Sequence, residues 1–346
     1  MSYLDDILNQ PRDLRKMLDG FRSQANLMEL DTIAGLGYKK ILFSGMGSSN
    51  YCCHGAVIML NRYGFSASVL SSGELLHYEM GLSSPDTLMV LVSQSGESAE
   101  IVKLVEGLPK GQAIIAITND VESTLGRRGN YTFALDVPEE ESVTTRTYLS
   151  SVLMTGMLAN AIAGLSKNEY FDQALAAIDS LEGFLTGHAN FTDRICRFFG
   201  SPSFICLIGR GDSLSTVQAG ALFLQEVVKY PAISFDSGEF RHGPFEMVQE
   251  GFAAVVVAPK GRTGDLNMRL AHDIAKKGGR VLLITNEKVS ERVDNVFVSV
   301  FHGDMEEDFS PIVTIAPIQL LADGMAREKG IEAGKFRWGG KVMAVE

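Results

Sequence analysis

The chain repeats itself once, and that duplication limits its architecture more than any other feature. Ile41-Leu-Phe-Ser-Gly-Met-Gly-Ser-Ser49 is echoed by Ile205-Cys-Leu-Ile-Gly-Arg-Gly-Asp-Ser213. Ser72-Gly-Glu-Leu-Leu-His77 returns as Ser237-Gly-Glu-Phe-Arg-His242, and Ile114-Ile-Ala-Ile-Thr-Asn-Asp120 as Val281-Leu-Leu-Ile-Thr-Asn-Glu287. The copies stand about 165 residues apart, too long a period for a solenoid or propeller. A half-chain of that length is domain-sized by itself. Two similar domains in tandem are therefore expected.

Each half can bury its own core, since 45% of the 346 residues are hydrophobic and 21% charged. A formal charge of -11 argues against a nucleic-acid partner, which would need a basic footprint. It also requires a strong local site for any anionic substrate. Residues Met1 to Asp19 mix acids and bases among apolar residues, unlike a signal peptide. No run of about 18 apolar residues stands out as a bilayer span, so no membrane partner is expected. Of the four cysteines, Cys52 and Cys53 are adjacent and not easily bridged to each other. No Cys-x-x-Cys or His-x-x-x-His spacing suggests a metal. The expectation is a cytoplasmic enzyme with no metal and no cofactor.

Unbroken apolar runs such as Leu88-Met-Val-Leu-Val92 and Ala113 to Thr118 read as strands buried on both faces. They alternate with helical stretches such as His54 to Tyr63, the pattern of an α/β fold with parallel sheets. The second copy repeats it with Phe204 to Ile208, Ala253 to Ala258, Val281 to Thr285 and Val296 to Ser299. The expected division is a helical segment at 1–34, a first domain at 35–165 and a helical linker at 166–195. A second domain at 196–325 and a tail at 326–346, lying over the active site, complete it.

Ser93-Gln-Ser-Gly-Glu-Ser98 falls where a buried strand passes into a helix. Unsatisfied N–H groups at a helix start favour anions, serines add donors, and Gly96 permits close backbone approach. Such a loop lies at the carboxyl end of a strand, where open parallel sheets bind ligands; Ser48 and Ser49 lie at another such end. Serines there also serve simply as helix caps. The second copy has Ala258-Pro-Lys-Gly-Arg-Thr263 instead, which favours one phosphate site, in the first half.

Glu226 stands at the repeat offset from Asn61, in a helical stretch with Leu222, Phe223 and Tyr230 one turn away. Partial desolvation would raise its pKa toward that of a general base; a structural carboxylate is the alternative. His242, in a sequence read as a loop, suits proton transfer near neutral pH, although His77 in the first copy allows an inherited structural role. Lys341 is either a solvated tail residue or a lysine for Schiff-base chemistry or ring opening.

Taken together, these segments resemble the double sugar isomerase (SIS) domain proteins over essentially the whole chain. The likeness rests on Gly47-Ser-Ser49, Ser93 to Ser98, Thr144-Thr-Arg146, Gln225-Glu226, Gly238-Glu-Phe-Arg-His-Gly-Pro244 and Lys341-Val-Met-Ala-Val-Glu346. The family includes the isomerase half of glucosamine–fructose-6-phosphate aminotransferase, SIS-type glucosamine-6-phosphate deaminases, and fructosamine- and glucoselysine-6-phosphate deglycases. The resemblance implies two flavodoxin-like, doubly wound domains. It implies sugar phosphate held by Ser48, Ser49, Ser93, Gln94, Ser95, Ser98 and Thr144. It also implies catalysis by Glu226, His242 and Lys341, in a homodimer with shared active sites.

No N-terminal cysteine glutaminase domain is present, so ammonia transfer from glutamine is not expected. Gly-Glu-Phe-Arg-His-Gly-Pro replaces the aminotransferase's Gly-Glu-Leu-Lys-His-Gly-Pro. With Phe245-Glu246-Met247-Val248 and the pair Gly339-Gly340, it leans toward the deglycases. The intact serine loop and Lys341 lean toward the isomerase and deaminase branch. The leading expectation is a deglycase that cleaves a 6-phosphorylated sugar–amino acid conjugate to hexose 6-phosphate and free amino acid. A glucosamine-6-phosphate deaminase or aldose–ketose isomerase, and a non-enzymatic phosphosugar sensor, are the alternatives.

Overall fold

The computed structural model describes residues 2–140, 142–289, 293–303, 305–343 and 345. Two compact units divide the chain. The N-terminal unit comprises Arg12–Asp172 and Phe336–Glu346; the C-terminal unit comprises Met1–Pro11 and Gln173–Lys335.

The N-terminal unit is built on five strands, β1 (Lys40–Gly45), β2 (Ser66–Ser71), β3 (Thr87–Val92), β4 (Ile114–Thr118) and β5 (Tyr131–Ala134). They run parallel in the order β2-β1-β3-β4-β5. The C-terminal unit has β6 (Ile205–Gly209), β7 (Ala232–Asp236), β8 (Ala253–Val257), β9 (Arg280–Thr285) and β10 (Val296–Val300). Its order is β7-β6-β8-β9-β10, again all parallel. Equal strand order in both units is the structural counterpart of the sequence duplication. Every residue of β3, β4 and β8 is buried, as their unbroken apolar runs require.

One strand went unanticipated. β7 is an edge strand, Ala-Ile-Ser-Phe-Asp, and only partly buried, so it lacks the continuous apolar run that marks central strands. Two further expectations are corrected. The segment before His242 is a short helix, Ser237–Arg241, capped by Asp236 Oδ1, which accepts the N–H groups of Gly238 and Glu239. Residues Glu307–Glu328 are long and apolar enough to cross a membrane, yet the apolar part, residues 309–326, is buried throughout, as a core helix is.

The N-terminal residues form two helices, Tyr3–Phe21 and Gln24–Gly35, separated where Ser23 caps the second by accepting the Asn26 N–H. The 17-residue helix Arg146–Ile162 is almost wholly buried within its unit. Its first residue, Arg146, donates to Asp13 Oδ2 at 2.8 Å, with side-chain exposures of 0% and 3%. Burying a charge is costly unless it is paired, and this pair joins an N-terminal helix to the start of the central one. All four cysteines are free and buried. Cys52 and Cys53 hold their sulfurs 3.8 Å apart, and burial pushes the Cys53 thiol well above its usual range.

Candidate functional site

β1 is the switch point of the N-terminal sheet: it pairs with β2 on one side and β3 on the other. The loops leaving β1 and β3 therefore flank the crevice where open α/β sheets take ligands. Glycines shape the first loop. A Cβ on Gly45 would stand 2.7 Å from the Ser49 backbone and 2.8 Å from the Val92 carbonyl oxygen. Gly47 adopts φ 53°, a conformation that side chains disfavour. Ser48 and Ser49 follow, half-buried, at the start of the short helix Ser48–Tyr51.

The second loop divides its serines between two jobs. Ser93 is buried and its hydroxyl accepts the Gly96 N–H at 3.1 Å; Ser95 accepts the Glu97 N–H at 3.2 Å. Those two hydroxyls help shape the turn. The Gln94 carbonyl accepts the Asn119 N–H, fixing the loop to the end of β4. Ser98 occupies the N-cap position of helix Ala99–Gly107 but makes no capping hydrogen bond. Its half-buried hydroxyl stands at a helix start with no capping task.

The tail reaches this same place. The Met343 carbonyl accepts the Ala99 N–H at 2.9 Å, closing the first amide of that helix. Two residues earlier, Lys341 donates through Nζ to the Glu140 carbonyl and, at 3.3 Å, to Glu140 Oε2. Glu140 was not among the residues singled out from the sequence. Its side chain is fully buried and accepts from Thr145 N, Thr145 Oγ1 and Thr147 N through Oε1, and from Thr147 Oγ1 through Oε2. A carboxylate there answers the exposed amides of helix Arg146–Ile162. The run Glu139-Glu140-Glu141 before a helix start was the available signal, but nothing in it singled out the middle residue. Within Thr144-Thr-Arg146, Thr145 and Arg146 thus have structural partners, whereas Thr144 is half-buried on the loop.

In the C-terminal unit the counterpart of the serine loop is differently employed. The Lys260 N–H donates to Asn286 Oδ1 at 2.7 Å and the Arg262 N–H to Glu307 Oε2 at 3.1 Å. A carboxylate of the chain itself thus occupies one of the loop's backbone donors.

Strand register corrects the pairing of Asn61 with Glu226. Ile41 faces Ala67 across β1 and β2, as Ile205 faces Ala232 across β6 and β7. Asn61 donates to the Ala67 carbonyl and accepts the Ala67 N–H; Gln225 donates to the Ala232 carbonyl at 2.8 Å. Gln225 therefore does the work of Asn61, tying helix Ser213–Val228 to the next strand. The second connection is one residue longer, and glutamine is one methylene longer than asparagine. Glu226 is left free of that task. Burial pushes its carboxyl from 4.5 to about 7, against the opposing pull of the Lys229 charge. Lys229 donates to the Glu226 carbonyl oxygen.

His242 is exposed at the end of helix Ser237–Arg241. Its neighbours are committed elsewhere. Phe240 is fully buried against Phe235, Phe245 and Phe252, and Arg241 donates to Asp273 Oδ2 at 2.8 Å. The two positions that set this segment apart from the aminotransferase version serve packing and an ion pair.

The structure thus gathers the serine loop, Ser48, Ser49 and the Lys341 tail in the N-terminal unit. Glu226 and His242 belong to the C-terminal unit, and no hydrogen bond or ion pair joins their side chains among the described residues.

Residues 37–161 and 201–309 match the sequence pattern of the SIS domain. The chain is 26% identical over 352 residues to a glutamine–fructose-6-phosphate aminotransferase (isomerizing) from Thermococcus kodakarensis. That alignment covers 99% of this chain but 58% of the relative, so the chain spans little more than half of such proteins. Among solved structures, the C-terminal domain of glucosamine-fructose-6-phosphate aminotransferase from Francisella tularensis superposes with a TM-score of 0.86 at 23% identity. It covers 97% of this chain and 98% of that one. Glucosamine-6-phosphate deaminase from Thermotoga maritima gives 0.80 at 21% identity, covering 99% of each chain. At these identities the two structures speak to the fold.

Proposed function

The chain belongs to the SIS domain family, with two such domains in tandem, and on that premise we propose that it is an enzyme acting on a phosphorylated sugar. The observation that carries this reading is the Ser98 hydroxyl, which stands at the start of helix Ala99–Gly107 without capping it. A phosphate there would receive hydrogen bonds from Ser98, Gln94 and the loop backbone, with Ser48, Ser49 and Thr144 as further donors. The charge of the helix start would offset the unfavourable net charge of the chain.

Glu226 is the proposed proton carrier. A carboxyl at about 7 is divided between its two forms near neutral pH, as a residue that both takes and returns a proton must be. It removes the proton from the carbon beside the sugar carbonyl and delivers it to the neighbouring carbon. His242 protonates the ring oxygen or the departing amine. The active unit in this reading is a homodimer.

For the substrate we favour a 6-phosphorylated sugar joined to an amino acid. The proton shift turns its ketoamine into an imine, which water hydrolyses to hexose 6-phosphate and the free amino acid. A second reading, a glucosamine-6-phosphate deaminase or aldose–ketose isomerase, draws support from Lys341. Its ammonium is held in the unit that carries the serine loop, the placement that ring opening by a lysine would require.

A panel under one set of conditions tests both. It contains fructoselysine 6-phosphate, fructoseaspartate 6-phosphate, glucosamine 6-phosphate and fructose 6-phosphate. Amino acid and hexose 6-phosphate released from a conjugate establish the first reading. Ammonia from glucosamine 6-phosphate, or interconversion of the plain hexose phosphate, establishes the second. Saturable binding with no turnover anywhere refutes both and leaves a sensor.

A further inference from the structure

We propose that Glu140 is the positioning residue for Lys341: its buried carboxylate fixes the lysine, and with it the tail, beside the start of helix Ala99–Gly107. The inference rests on the reading of Lys341 as part of the sugar-phosphate site. It begins from how the two oxygens of Glu140 are used. Oε1 accepts three hydrogen bonds, from Thr145 N at 2.8 Å, Thr145 Oγ1 at 2.9 Å and Thr147 N at 3.1 Å. Oε2 accepts Thr147 Oγ1 at 2.7 Å and Lys341 Nζ at 3.3 Å.

The threonine donors orient the carboxylate, but they are neutral. The cation facing this fully buried anion comes from the tail. The tail is otherwise weakly held: Trp338 is 97% exposed and Val342 and Met343 are exposed as well, while the Lys341 side chain is only 18% exposed. Among the described residues, its other polar attachment to the unit is the Met343 carbonyl on the Ala99 N–H. Both attachments lie within three residues, so the ion pair sets where that carbonyl, and hence the tail, meets the helix beside the serine loop. Glu140 itself is committed to the start of helix Arg146–Ile162.

Hydrogen exchange at the Ala99 amide reads this docking without reference to turnover. In Glu140→Gln the Ala99 amide should exchange at least about tenfold faster, while amides of β3 and β4 keep their protection. Lys341→Met removes the same ion pair from the tail side while keeping Glu140 and its threonine donors, and should produce the same change; unfolding curves of both variants separate lost docking from a folding defect. Fructose 6-phosphate affinity, measured by calorimetry, should stay within about threefold in Glu140→Gln, while kcat on the substrate identified by the panel falls at least about tenfold. Unchanged Ala99 exchange in both variants overturns the proposal, as does full kcat in Glu140→Gln with Lys341→Met inactive. If Lys341→Met turns over at the wild-type rate, the lysine leaves the proposed function, and Ala99 exchange still decides whether Glu140 docks the tail.

Discussion

Replacing Glu226 by glutamine should stabilise the protein at alkaline pH while abolishing its turnover. The carboxyl titrates at 4.5 when solvated and at about 7 in the fold, because burial disfavours its charged form. A group with a raised folded pKa binds its proton more tightly in the folded state. Its contribution to stability is fully present below about pH 4.5 and is lost as pH rises through 7. The gap between the two values corresponds to about 3 kcal/mol, and residual solvent around the group reduces this to about 2 kcal/mol. Glutamine is neutral at every pH and escapes the loss. The Glu226→Gln variant should match the wild type at pH 4.5 and exceed it by about 2 kcal/mol at pH 8, measured as the difference between paired denaturant unfolding curves. Sugar-phosphate binding should persist while kcat falls by at least about a thousandfold. A stability difference that stays constant between pH 4.5 and 8 would refute the desolvation argument. Near-normal turnover would make Glu226 a structural residue.

Two further outcomes follow from hydrogen bonds present or missing. Ser98→Ala should leave unfolding within about 0.5 kcal/mol of wild type, because that hydroxyl caps nothing, yet weaken fructose 6-phosphate binding about tenfold in calorimetry. Asp13→Asn should destabilise the N-terminal unit by about 3 kcal/mol by removing the carboxylate that faces the buried Arg146 guanidinium, visible as an earlier unfolding transition.

Much of the architecture was legible from local pattern. Strands buried on both faces announce themselves as unbroken apolar runs, which is why β3, β4, β8 and β9 were anticipated and the edge strand β7 was not. The duplication, read from three echoed segments, translates directly into two sheets of equal strand order. The SIS domain match over both halves agrees with that reading.

Side-chain assignments depended on what each group meets in space. Counting residues paired Asn61 with Glu226, whereas the hydrogen bonds to Ala67 and Ala232 pair it with Gln225. A one-residue change in a turn is invisible until strands are in register. Phe240 and Arg241 marked a lean toward the deglycase branch in the sequence, whereas in the fold one fills the core and the other pairs with Asp273, 32 positions away. Glu140 passed unnoticed in an acidic run because its partner, Lys341, lies 201 residues further along. Sequence by itself determined the repeat, the parallel sheets and the serine loop, because these arise from local periodicity and backbone chemistry. Only the tertiary structure decided which hydroxyls are spent on turns, which carboxylate is desolvated and which lysine is anchored. Burial and ion pairing are properties of surroundings brought together by folding.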